Sequence, residues 1–74
     1  MQKTIQYVAP VKGAAEYFAG LDADNGFKPS VFMTDDEGYT SVIDSAKTIE
    51  LARIKAIKWQ IKENTAVLKS QSKN

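Results

Sequence analysis

The sequence predicts an α+β fold: a small, mainly antiparallel sheet of three to five strands with one long helix packed on one face. The expected order is β-β-β-(β)-α-β. Three observations lead there. Residues 44–63 run without glycine or proline and carry apolar side chains at helical spacing. The segments before them alternate apolar and polar residues over short stretches separated by glycine-bearing turns. A last short run, residues 65–69, follows Asn64, a residue type suited to ending a helix.

In residues 3–11, Ile5, Tyr7, Ala9 and Val11 fall on one side of an extended chain and Gln6, Val8 and Pro10 on the other, a strand pattern that Pro10 ends or places at an edge. Lys12-Gly13 is a turn signal, and residues 16–20 give a second strand, so residues 3–20 read as a hairpin. A polar loop closes on Asn25-Gly26, a pair suited to positive φ. Pro29 favours extended geometry at Lys28, and residues 31–34 read as a third strand. Asp35-Asp36-Glu37-Gly38 is a second turn; residues 39–43 form a fourth strand or an extended link. Either Asp44 or Thr48 caps the helix, and residues 70–74 read as a flexible tail behind a single domain at 1–69.

Composition bounds the function. A chain of 74 residues buries only about 60% of its unfolded surface, which leaves little room for an enclosed active site. It has no cysteine, which removes disulfides and thiolate sites, and no histidine, which removes the usual general base and the commonest metal ligand. No cofactor is expected, metal sites included, and none of the serines or threonines has a histidine to activate it. The first residues lack the apolar core of a signal peptide, and no apolar run is long enough for a membrane span; the expected location is the cytoplasm. The net charge of +1 conceals an asymmetry: residues 1–45 carry three cations against seven carboxylates, and residues 46–74 seven against two. The two halves either attract each other in the fold or leave a basic face for a partner.

Laid out at about 100° per residue, the helix has two apolar sides. Ile54, Ile57 and Ile61 share one face; Ala52, Ala56 and Trp59 lie nearly opposite; Lys55, Lys58 and Lys62 run between them on one side, with Arg53 and Gln60 on the other. A helix on a sheet needs one apolar stripe. Either the loop at 21–30 covers the second, or Trp59 and the isoleucines Ile54, Ile57 and Ile61 are left for a protein partner or a second copy. The alternative partner is nucleic acid, gripped by Arg53, Lys55, Lys58 and Lys62 with bases stacked on Tyr7, Tyr17, Phe18 or Tyr39, although these aromatics lack the paired spacing of sheet-based RNA binders.

Two acidic stretches fail as metal loops or stay bland. Residues 22–26 place glycine at the fifth position, and the twelfth position is Met33, so the calcium-loop pattern is not met. Asp35-Asp36-Glu37 reads as a solvated turn.

Tyr7-Val8, Glu16-Tyr17-Phe18-Ala19-Gly20, Phe32-Met33-Thr34 and the run from Ile43 to Ile49 leading into Leu51-Ala52 and Ala56 resemble a pattern in small phage and prophage proteins of Gram-positive bacteria. That resemblance covers residues 5–68, with Ile49 where an aromatic is usual. It implies a phage origin, a hairpin, and an alanine-bearing helix before a last strand, with Ala52 and Ala56 packed closely on the sheet. The resemblance implies no activity; the two-faced helix, the absent catalytic residue types and the small size make the expectation a non-enzymatic accessory protein that works by protein–protein interaction.

Overall fold

The computed structural model describes residues 7–72, which form one α+β unit of two layers. Strands β1 (Glu16–Asp22), β2 (Lys28–Thr34) and β3 (Thr40–Ser45) make an antiparallel sheet in the order β1-β2-β3, and helix α1 (Ile49–Ser72) crosses one face of it. The class expected from the sequence is present with three strands, in the order β-β-β-α. Two expected strands are corrected. Residues 65–69 are helical, and residues 7–11 run outside the sheet, residues 3–6 of that expected strand lying outside the described residues.

In the loop between β1 and β2 only the glycine of the asparagine–glycine pair takes positive φ; Asn25 belongs to a 3₁₀ turn. Asp22 accepts the Asp24 N–H at 3.1 Å, a short 3₁₀ turn follows at Ala23–Asn25, and Gly26 takes φ 65°. Phe27 also sits at φ 58°, a left-handed conformation that costs a residue with a Cβ about 1 kcal/mol. The second turn is held by Asp35, whose carboxylate accepts the N–H of Glu37 and of Tyr39 at 3.0 and 2.9 Å. Residues 39–43, left open between strand and link, belong largely to β3, which starts at Thr40 and carries a bulge. Phe32 pairs with Val42 while Val31 pairs with Asp44, so Ile43 is the extra residue. The bulge lets both Ile43 and Asp44 serve the helix side: Ile43 packs on the core and Asp44 meets the helix.

Of the two caps weighed, Thr48 starts the helix: its hydroxyl accepts the Leu51 N–H at 3.1 Å. Thr48→Ala is expected to lower stability by about 1 kcal/mol in urea unfolding, without altering the slope of the transition. The helix does not stop at Asn64, because that side chain is used elsewhere. Asn64 Nδ2 donates to the Ala9 carbonyl at 2.9 Å, and its Oδ1 accepts the Val11 N–H at 3.2 Å. One turn earlier Gln60 repeats the arrangement. Its Oε1 accepts the Tyr17 N–H and its Nε2 donates to the Ala15 carbonyl, both at 2.8 Å. Glu63 adds an acceptor for the Ala15 N–H, and Gln71 a donor to the Lys12 carbonyl. Side-chain amides of the helix thus take the place of a neighbouring strand along residues 9–17, satisfying backbone groups that a hairpin would have paired.

The core lies between sheet and helix and is small: Tyr17, Val31 and Ala56, with Ala15, Met33, Ile43 and Trp59 packed around it. Ala52 and Ala56 are buried, which lets the helix approach the sheet closely. Residue spacing alone leaves open which apolar side meets the sheet; the resemblance to phage proteins implies this one.

Candidate functional site

The helix sorts its residues by side. Toward the sheet lie Ala52, Ala56, Trp59 and Gln60; the loop at 21–30 does not fold over the other side, and Leu21 and Phe27 in it are themselves exposed. Leu51, Ile54, Ile61 and Leu68 therefore project outward, each between 38% and 51% exposed. Ile54, Ile61 and Leu68 are spaced by seven, and Leu51, Lys58 and Thr65 interleave at three and four, so the outer side carries a heptad-type seam. Ile57 stands half-buried beside it. Sequence reasoning missed Leu51 and Leu68. The expected last strand at 65–69 takes in Leu68, and only continuation of the helical spacing past Asn64 brings it into line.

Trp59 parts from the isoleucines. Its ring stacks on Tyr17 at 5.8 Å between centroids, and its indole N–H donates to Asp44 at 3.3 Å. Lys62 lies 5.7 Å above the same ring. Asp44 accepts the Ser45 N–H at 2.8 Å, and Lys55 sits 3.5 Å from it while donating to the Ser45 carbonyl. The Ser45 N–H, then the Trp59 indole and the Lys55 ammonium, hold the Asp44 carboxyl below its ordinary range. A carboxylate with a lowered folded-state pKa stabilises the fold above its unfolded pKa and loses that contribution as pH falls through the folded value. Wild type is thus expected to lose stability below about pH 4 more steeply than Asp44→Asn, with the gap between them closing on acidification in urea titrations. At the other end of the scale, burial and then the Glu63 carboxylate push the Tyr17 phenol up.

The basic residues also divide. Lys55 makes the ion pair with Asp44; among the described residues Arg53, Lys58, Lys62 and Lys69 make none. Among the described residues the acidic and basic halves meet in a single contact of this kind, and most of the helix's cations stay on the surface. Arg53 stands apart from the lysines, at an open groove of about 700 Å³ between β1 and the helix that Tyr7, Ala19 and Ile57 also line.

The sheet's far side carries a second apolar patch, Phe18 stacked on Phe32 at 5.3 Å beside the exposed Val42. Gly20 belongs to this stack, since a Cβ there would meet the Phe32 ring at 3.0 Å. Alternation in β1 assigns Tyr17 inward and Phe18 outward, a signal available in the sequence once the register is known. Among the described residues no group of three carboxylates, cysteines or histidines stands close enough to hold a metal ion, and no helix is long and apolar enough to cross a membrane. Comparison with protein-family models, with curated proteins and with solved structures gives no match.

Proposed function

We propose that this chain is a non-enzymatic interaction module, a phage-type accessory protein of the cytoplasm, that docks a protein through the outer face of α1. The observation that carries this reading is the exposed seam of Leu51, Ile54, Ile61 and Leu68 on the side of the helix opposite its own sheet. Ile57 widens it. Covering these half-exposed side chains would contribute roughly 1 kcal/mol each, a useful anchor for a small domain. Trp59, named with the isoleucines for this face, is instead held on the sheet side by Tyr17 and Asp44.

The partner is another protein or a second copy. Ile54→Asp combined with Ile61→Asp is expected to lower stability by no more than about 1 kcal/mol, because both positions are half-exposed in the free protein. The same change should remove proteins that the wild type retains from its native cell, or the dimer mass if light scattering finds one. Identical capture and identical mass for both forms would overturn the reading.

Nucleic acid is the weaker alternative. The lysines lie on the helix layer, away from the Phe18–Phe32 stack, and of the four cations only Arg53 shares a groove with Tyr7 and Phe18. Binding through Arg53, Lys55, Lys58 and Lys62 would show as a salt-dependent anisotropy change with labelled DNA or RNA.

A further inference from the structure

We infer that the occupant of this outer face is an acidic amphipathic helix of a partner protein. The inference rests on the docking reading above and names the chemistry of the partner. Leu51, Ile54, Lys58, Ile61, Thr65 and Leu68 follow the three–four spacing of a coiled-coil seam. It runs for about 25 Å along the helix, enough for a partner helix of five turns. A stripe this narrow fits the ridge of one helix.

Charge decides among helices. Lys55, Lys62 and Lys69 recur every seven residues along one flank of the seam, and Lys58 lies within it. Lys55 is matched by Asp44, but Lys58, Lys62 and Lys69 are exposed and make no ion pair among the described residues. A second copy fits poorly. Parallel pairing would set Lys58 against Lys58, and antiparallel pairing would bring each lysine flank against the other. A helix bearing glutamate or aspartate on the flank that meets Lys55, Lys62 and Lys69 places carboxylates against this chain's cations, while the other flank, Glu50, Ile57 and Asn64, offers none; this favours that partner and disfavours a basic one.

The test uses the full chain and two labelled peptides of about 28 residues, with leucine and isoleucine at the seam positions and either glutamate or lysine at every flanking position. The acidic peptide should bind at least about tenfold tighter than its basic twin and weaken with added salt. Ile61→Asp should abolish binding, and Lys58→Glu with Lys62→Glu should invert the preference. Equal binding of the two peptides, lost in Ile61→Asp, would overturn the charge assignment and leave the docking face standing. A dimer of the free chain that Ile61→Asp dissolves would do the same. Failure of both peptides, with duplex DNA or vesicles of anionic lipid bound instead, would overturn the inference and the protein-docking reading together.

Discussion

Gln60→Leu is expected to destabilise the protein by about 2–4 kcal/mol, although leucine is close to glutamine in size and better suited to an apolar site. Gln60 is only 1% exposed, and its amide satisfies the Tyr17 N–H and the Ala15 carbonyl on the free edge of β1. Leucine would leave the buried Tyr17 N–H unpaired, at a cost of about 1–3 kcal/mol, and the part-buried Ala15 carbonyl unpaired at a smaller one. A domain of this size holds only a few kcal/mol in total, so the variant should be partly unfolded at 37 °C. Urea titration followed by Trp59 fluorescence reads the change, because that ring stacks on Tyr17. Gln60→Glu separates the two bonds. A carboxylate can still accept from Tyr17 but confronts the Ala15 carbonyl, and protonation at low pH restores a donor. Its deficit should therefore shrink on acidification, whereas that of Gln60→Leu should not; a leucine variant as stable as wild type would refute the role assigned to this amide.

The same residue marks where the sequence was readable and where it was not. The turns at Asn25-Gly26 and at Asp35, and the helix start at Thr48, rest on local chemistry, and each appears as a local pattern. The final strand and the first hairpin failed for a non-local reason. Asn64 reads as a helix terminator only when its side chain is imagined unoccupied, yet here it bonds residues more than fifty positions away. The alternation in residues 7–11 reads as a strand, but these residues lie outside the sheet, and the Ala9 carbonyl and Val11 N–H are partnered by the Asn64 side-chain amide. The candidate face was half legible. Two apolar sides were visible in the spacing, and which one meets the sheet follows from residue size: alanines permit close approach and isoleucines do not.

That size rule yields the second large effect. Ala52→Leu is expected to cost about 2–3 kcal/mol, and Ala56→Leu about as much. Ala52 is fully buried, and Ala56 sits in the cluster with Tyr17 and Val31. Added methylenes must push the helix off the sheet, stretching the Gln60 bonds to Ala15 and Tyr17 that fix its height. Ile54→Ala and Ile61→Ala, on the opposite side of the same helix, should each change stability by less than about 0.5 kcal/mol, since neither fills a cavity in the free protein. Urea unfolding of the four variants is the check. If the isoleucine changes proved the costlier pair, the outward face would be part of the fold's own core, and a docking role for it would lose its structural basis. If the alanine changes dominate, stability and recognition are carried by opposite sides of one helix, so that substitutions on the outer side can alter partner choice without unfolding the domain.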